Sequence, residues 1–524
     1  MSNKDTQIFS EVRENFYRDS VNLMQLSTLL RELDGIIDVA VVMGTENNKN
    51  LLTDAGLMTP EIKDADSSDM CIVAVVQHEE LIETIKEKID QYFEHGRQTK
   101  TGDQLKKLGS LEAAIRNQPG TNLALISVPG SYAANLADKC LKQDLNVFLF
   151  SDNVSVEDEI RLKNAARKKG LLMMGPDCGT ALINNVPLGF ANNIRRGNIG
   201  IVSASGTGLQ EVSTLIHKKG MGISQAIGTG GRDLSGKVGG KTMLHGIELL
   251  LQDTKTDVLV LISKPPDPEV SKRVLTTATK EIKPVVVCFL GWNEEAISDF
   301  NGYLTSTLDE AAEAAVRLSS GDSLQGIKKP KLPELFQEKV LAETESLQSG
   351  RKYVRGLYTG GTLADEAALL ISEKVGEVWA VDGFGSVSCL PDVHVSRENS
   401  VVDLGADVFT EGRAHPMIDP RIRKQRLLNE VEDDEVAVFL FDVVLGWGSH
   451  EDPGGELSDA VEQARLKIQS QDQPLFIASV TGTELDPQDY EEQVRKLESA
   501  GVMIAESNVQ AALAAALVIE EVQT

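Results

Sequence analysis

The sequence predicts an α/β protein made of several doubly wound parallel-sheet domains, Rossmann-like and flavodoxin-like, behind a small N-terminal α+β module. Three observations predict it. Short continuous apolar runs alternate with helical segments from Asn122 onward, the pattern of parallel strands buried on both faces. A chain of 524 residues is too long for one core and calls for three or four domains. Its 41% hydrophobic and 25% charged residues are the proportions of an ordinary globular protein.

The N-terminal module is expected over 1–117. Its strands are IFSEVREN, IDVAVVMG and MCIVAVV, and its clearest helix is HEELIETIKEKIDQYF, whose apolar residues recur at helical spacing. A polar stretch over 94–121 ends it. A Rossmann-like unit follows over 118–195, with strands LALISV, LNVFLF and LLMM. The runs IGIVSAS, DVLVLIS and PVVVCFL mark the next domain, 196–320. The polar, Pro- and Gly-containing stretch 319–339 places a linker at 321–350. The last domain, 351–524, has EVWAVD, VAVFLFD, LFIASV and VMIAE as strands and NVQAALAAALVI as a closing helix. The likeness between these units is architectural and falls short of an internal sequence repeat.

A net charge of −27 argues against nucleic-acid backbones and anionic membrane surfaces, so a small anionic substrate needs a local site. No run long enough to span a bilayer occurs, and MSNKDTQIFSEV lacks the basic and apolar regions of a signal peptide, so the expected compartment is the cytoplasm. The five cysteines contain no CxxC, which fits reduced thiols, most of them buried, better than disulfides or a metal site.

Three glycine-bearing loops carry the chemistry. In GIVSASGTGLQE a buried strand ends at Ser203 and a helix opens near Thr207, so Ser205, Gly206 and Thr207 sit where unpaired N–H groups and the helix dipole favour an anion. Plain capping by Ser205 or Thr207 is the alternative. The loop from Met174 to Thr180 offers Gly175, Asp177 and Cys178. The loop from Gly228 to Lys237 offers Gly230, Gly231 and Arg232, a backbone that an anion can approach with a guanidinium to clamp it. No Walker A loop and no GxGxxG is present, so a standard nucleotide site is not indicated.

In EGRAHPMIDPRIR, Arg413, His415, Asp419, Arg421 and Arg423 cluster after a strand, where α/β sheets place ligands. Arg413 and His415 are candidates to hold a carboxylate or phosphate, and His415 to move a proton. The competing reading makes Arg413 and Arg421 partners in ion pairs. His450 is a weaker candidate. His78, His95, His217, His245 and His394 read as ordinary surface or capping residues, and the acidic run 430–435 as a solvated face.

MGPDCG, GIVSASGT, GTGG, DVLVLIS and KPVVVCFL, in this order, resemble the succinyl-CoA synthetase alpha subunit over 122–318. That resemblance implies a CoA-binding-type domain over 118–195, a ligase-like domain over 196–320 and an anion site at Ser205, Gly206 and Thr207. Two departures stand out. The place of the family's phosphorylated histidine reads GWNEEAISDFNGY, without histidine, and the place of its orienting glutamate reads Ser263-Lys264-Pro265-Pro266. Lys264 in place of a carboxylate implies attraction for a free anion. The family's N-terminal glycine-rich CoA loop is also missing.

RENFYRDSVNLMQLS, RGLYTGGTLADEA, VVDLGADVFTEGRAHPMIDPRIR and FDVVLGWGSHEDPGG resemble the FdrA family across nearly the whole chain. This resemblance implies a subunit of an oxamate carbamoyltransferase in anaerobic allantoin breakdown, working with two further subunits to convert oxalurate and phosphate into oxamate and carbamoyl phosphate. Lys264, Arg413 and His415 are then the expected catalytic residues, with no resident cofactor. The alternatives are an ADP-forming acyl-CoA synthetase, which needs CoA and nucleotide, and a non-catalytic scaffold or metabolite-sensing subunit.

Overall fold

The computed structural model describes residues 7–523 except 15, 17–19, 32, 34, 46–47, 50–51, 54, 79, 96–109, 293–299, 328, 348–349, 412 and 469–472. Most of GWNEEAISDFNGY and part of the polar stretch 94–121 therefore lie outside the described residues. Two compact units emerge, Met1–Ser110 with Thr410–Ala414, and Leu111–Phe409 with His415–Thr524.

In the first unit, β1 (Gln7–Arg13), β2 (Ile36–Met43) and β3 (Met70–Val76) form an antiparallel sheet of order β1-β3-β2. Strand alternation sets its two faces. Met70, Ile72, Ala74 and Val76 pack with helices Ser20–Arg31 and Leu81–His95, while Cys71 and Val73 join Leu52, Leu57 and Ile62 on the other side.

The second unit begins with a three-stranded parallel sheet, β4 (Leu123–Ile126), β5 (Asn146–Leu149) and β6 (Met173–Met174), connected by helices Gly130–Lys142 and Val156–Lys168. This βαβαβ run is one half of a dinucleotide-binding fold, which needs two.

Two seven-stranded sheets follow. One comprises the hairpin β7 (Thr180–Ile183) and β8 (Val186–Gly189), then β9 (Arg196–Ser203), β10 (Ile223–Gly228), β11 (Val258–Ser263), β12 (Val285–Phe289) and β13 (Tyr303–Thr305), in the order β13-β12-β11-β9-β10-β7-β8. The other comprises β14 (Tyr353–Tyr358), β15 (Val378–Ala380), β16 (Val387–Cys389), β17 (Ser400–Asp403), β18 (Val436–Val444), β19 (Leu475–Thr481) and β20 (Met503–Ala505), in the order β16-β15-β17-β14-β18-β19-β20. Both contain the flavodoxin-like 2-1-3-4-5 path, as β10-β9-β11-β12-β13 and as β17-β14-β18-β19-β20. The matched topology gives the architectural likeness of these two domains a definite form. Helix Gly206–Lys218 corresponds to Gly361–Val375, and Leu308–Ser320 to Asn508–Val522.

One hydrophobic core joins the two sheets. It includes Ile262 and Val286 from the first sheet, Val354 and Leu440 from the second, and a layer of alanines between the helices, among them Ala311, Ala315, Ala367, Ala511 and Ala515. Small side chains let these helices approach closely. Within the expected linker, Glu334–Thr344 forms a helix.

Two readings of charged residues are corrected. The run 430–435 is not simply a solvated face, because Glu430 is held, half-buried, between Arg355, at 2.8 Å, and Arg426, while Asp433 takes the other end of Arg355 at 2.8 Å. A strand arginine with its aliphatic stem buried needs these carboxylates nearby. His217 is fully buried rather than a surface group, its Nε2 2.8 Å from Glu484 and its Nδ1 accepting from the Arg195 N–H at 3.1 Å. No helix among the described residues is long and apolar enough to cross a membrane.

Candidate functional site

The carboxyl ends of β9 and β14 place two helix N-termini against each other. After β9 the chain turns through Ala204 and Ser205 into helix Gly206–Lys218, and after β14 through Thr359 and Gly360 into helix Gly361–Val375. Ser205 does what the capping alternative predicted, its Oγ accepting from the Gly208 N–H at 2.9 Å. The same hydroxyl donates to Thr362 Oγ1 at 2.6 Å, bridging the two helices. A Cβ on Gly360 would stand 2.7 Å from Thr207 Cγ2, so only glycine allows this approach. The first turns of both helices, with N–H groups that lack intrahelical acceptors, therefore open onto shared space.

Carboxylates build the other wall. Asp442, fully buried near the end of β18, accepts from the N–H groups of Thr359 and Gly360, both at 2.7 Å, and fixes the turn into the Gly361 helix. Arg423, also buried, backs Asp442 at 3.3 Å and donates to its carbonyl at 2.6 Å. Asp403, at the end of β17, accepts from the Gly405 N–H at 2.8 Å, and its Oδ2 lies 2.4 Å from where a Gly361 Cβ would be. Burial pushes the Asp403 carboxyl up to about 7, Lys264 pulling it down and Asp365 pushing it further up.

Lys264 enters from the end of β11. Its Nζ is 2.6 Å from Asp365 Oδ2 and 3.6 Å from the position of a Gly361 Cβ. The side chain keeps 47% of its surface exposed, at the rim of this cleft. Desolvation alone would lower the ammonium, but Asp365, then Asp403 and Asp382, hold it above the usual lysine range. Asp365 is itself raised, because its burial outweighs the pull of Lys264. The short contact decides for a formed ion pair. Lys264 is thus not the free anion clamp that the sequence suggested, and an incoming anion must compete with or share Asp365.

His415 sits beside this cleft with its ring 5.3 Å from that of Phe190. Its Nδ1 accepts from the Met417 N–H at 3.2 Å, which leaves Nε2 to carry the proton beside Gly405. Burial lowers the imidazole to about 4, so His415 is a neutral donor near neutral pH and not a cation for phosphate. Arg413 belongs to the first unit, whereas Lys264 and His415 belong to the second. Arg421 pairs with Asp419 at 2.8 Å, and His450 organises its own loop, accepting from the Asp452 N–H at 3.1 Å.

The two remaining loops pack under the Gly206 helix. A Cβ on Gly230 would stand 2.1 Å from Pro176 O, one on Gly231 3.2 Å from Asp177 Oδ2, and one on Gly206 3.2 Å from Thr180 Oγ1. Gly175, Asp177, Gly230 and Gly231 are thereby brought together. Cys178 is buried, and burial pushes its thiol up to about 12, which suits packing and not contact with an anion. Arg232 is not available as a clamp: it is 3.2 Å from Glu159 and donates to Val154 O at 2.8 Å. Beside it, buried Lys163 bridges Glu159 at 2.8 Å and Asp233 at 2.7 Å, and Asp233 accepts from the Thr242 and Met243 N–H groups.

Asp403, Asp442, Asp365 and the Gly360–Gly361 turn were not singled out from sequence. A strand followed by Gly-Gly-Thr was the available signal, matching Ser-Gly-Thr after β9.

The family description "CoA-ligase" fits residues 357–518, "CoA binding domain" fits 194–291, and "AllF, heavy metal-associated domain" fits 6–108. The CoA-binding match falls on the first seven-stranded sheet and not on the three-stranded unit. That smaller unit fits CoA poorly, since Asp152 and Asp177 stand in the loops after its strands β5 and β6, where carboxylates repel the phosphates of CoA. Nor do the residues of the first unit fit a heavy metal. Its one cysteine, Cys71, is buried in the central strand with its thiol pushed up to about 11, and no cluster of three ligand-type side chains occurs among the described residues.

The succinate–CoA ligase alpha subunit of Aquifex aeolicus is 30% identical over 156 residues, 28% of this chain and 49% of that one. A dinucleotide-forming acetyl-coenzyme A synthetase of Ca. Korarchaeum cryptofilum matches 81% of this chain and 89% of its own at 15% identity, with a TM-score of 0.32, too slight a likeness to build on. The uncharacterized protein YahF of Escherichia coli is 44% identical over 511 residues, 96% of this chain and 97% of that one. With an AllF-type N-terminal domain ahead of CoA-binding and CoA-ligase domains, and this likeness along its whole length, the chain belongs to the FdrA family.

Proposed function

We propose that this FdrA-family chain is an acyl-CoA-synthetase-like enzyme subunit that binds an acyl phosphate between the two opposed helix N-termini and passes its acyl group directly to an acceptor. The observation that carries this reading is the Ser205–Thr362 bridge at 2.6 Å, which points two positive helix ends at one space, with Lys264 on its rim. The phosphate takes the N–H groups of Gly206, Thr207 and Thr362 and the Thr207 hydroxyl, which Thr207→Val removes, and Lys264 turns partly from Asp365 toward it. Asp403, which holds its proton into the neutral range, gives the phosphate a hydrogen-bond donor where a charged carboxylate would repel it. Neutral His415 offers an Nε2–H of the same kind. No histidine stands in GWNEEAISDFNGY to take up the phosphoryl group, so the acceptor bonds to the acyl carbon, the acyl C–O bond to phosphate breaks, and the acceptor's proton passes to the phosphate, which leaves as a dianion.

Carbamoyl phosphate is an acyl phosphate, and the AllF-type N-terminal domain together with the missing histidine favours a second, narrower reading: transfer between oxamate and carbamoyl phosphate, with two further subunits. One experiment tests both. The purified chain, alone and with its candidate partner subunits, is given oxalurate and phosphate in one arm and acetyl phosphate with CoA in the other. Carbamoyl phosphate formation supports the narrower reading, and thioester formation supports the broader one with CoA as acceptor. Turnover in neither arm, or turnover unchanged in Thr207→Val, contradicts the site.

A further inference from the structure

A cavity lies away from the cleft. Its volume is about 960 Å³, within the roughly 300–1,000 Å³ usual for small-molecule pockets, and it shares only the Gly361 helix with the site described above. Phe289, Leu304, Leu369, Leu370, Leu513 and Leu517 supply its walls, and the chain around Pro330 and helix Glu334–Thr344 covers one side.

The polar groups on its floor already have partners. Both oxygens of Glu366 are taken, by the Leu308 N–H at 2.7 Å and by Asn508 Nδ2 at 2.8 Å. Thr305 Oγ1 donates to Val287 O at 3.2 Å, and Thr307 caps the Glu310 N–H at 3.2 Å. A ligand that reached this floor with a polar end would lose water and gain at most one bond, from the proton on Glu366. The floor therefore takes an apolar end.

The open side is different. Lys329, Lys331 and Lys374 are exposed around it, and none forms an ion pair with another described residue. Glu334, Glu373 and Glu520 also line the cavity, whereas Glu310 is held by the Ser306 N–H and Oγ, both at 2.9 Å. We propose that this cavity binds an amphiphile of the long-chain carboxylate class, its alkyl tail between the Gly361 and Asn508 helices and its carboxylate at Lys329, Lys331 and Lys374. Long flexible lysines suit a head group that stays partly in water while the tail is buried.

Isothermal titration of the full chain with dodecanoate tests this. Saturable one-to-one binding is expected, weaker by about fifteenfold for decanoate because each buried methylene is worth roughly fourfold. Dodecanol and the combined Lys329→Ala, Lys331→Ala, Lys374→Ala variant should each lose about tenfold or more. Leu513→Trp, which fills the cavity, should abolish binding. Should that variant fail to fold by circular dichroism, the exposed lysine variant decides alone. Absence of saturable binding, equal affinity for dodecanol, or an unaffected lysine variant would overturn the proposal.

Discussion

Glu211 and Glu366 hold matching positions in the duplicated halves, and each caps the closing helix of the other half. Glu211, on the Gly206 helix, accepts from the Asn508 N–H at 3.0 Å, and Glu366, on the Gly361 helix, accepts from the Leu308 N–H at 2.7 Å. The exchange is reinforced by Thr481, which donates to Glu211 at 2.6 Å, and by Asn508 Nδ2, which donates to Glu366 at 2.8 Å. Two buried carboxylates thus cross-link the halves, alongside the Ser205–Thr362 bridge.

Burial raises the Glu366 carboxyl from 4.5 to about 8, so the folded state holds this proton more tightly than the unfolded chain. Stability from this group is complete below pH 4.5 and is lost as pH rises toward and through 8, at about 1.4 kcal/mol per pH unit within that window. Glu366→Gln keeps an acceptor for Leu308 and offers its amide to Asn508 Oδ1, which is buried without a partner. Urea denaturation across the window should show a flatter pH dependence in the variant. An identical slope in both proteins would refute the assignment.

Ser205→Ala removes a helix cap, which costs about 1 kcal/mol, and cuts the bridge to Thr362 as well. Its loss of stability should therefore exceed that of Thr362→Val, which keeps the cap. Equal losses, measured by thermal denaturation, would mean that the cap adds nothing to the bridge.

Gly361→Ala places a methyl group 2.4 Å from Asp403 Oδ2, on a carboxylate that the Gly405 N–H holds in place. Overpacking of this kind costs about 1–3 kcal/mol. Phosphate should protect the wild-type chain against thermal unfolding and fail to protect the variant.

Titration of the full chain with zinc should reveal no tight site that Cys71→Ser abolishes, since Cys71 is buried in β3 and no group of three ligand-type side chains occurs among the described residues. A site lost in that variant would restore a metal role to the N-terminal unit.

Much of this fold was readable because buried parallel strands leave continuous apolar runs, as in IGIVSAS and VAVFLFD. The Ser205 turn was readable for the same reason, a strand followed at once by a capping residue and glycine. Arg232 was misread because its partner, Glu159, lies far along the chain, and an arginine in a glycine loop looks the same paired or free. Asp403 and Asp442 left no local signal in a chain with 79 acidic residues, since only the fold brings them to the Gly361 turn. The match between the two halves was legible only as an architectural likeness because its sequence trace is short: Gly-Thr and a glutamate four residues on, in SGTGLQE and GGTLADE.

The most direct test of the central claim is phosphorus NMR of the chain with carbamoyl phosphate, compared with Thr207→Val. A direct acyl-phosphate site predicts a shifted resonance for bound ligand that disappears in the variant, with no phosphohistidine signal in either. A phosphohistidine resonance, or binding indifferent to Thr207, would contradict it.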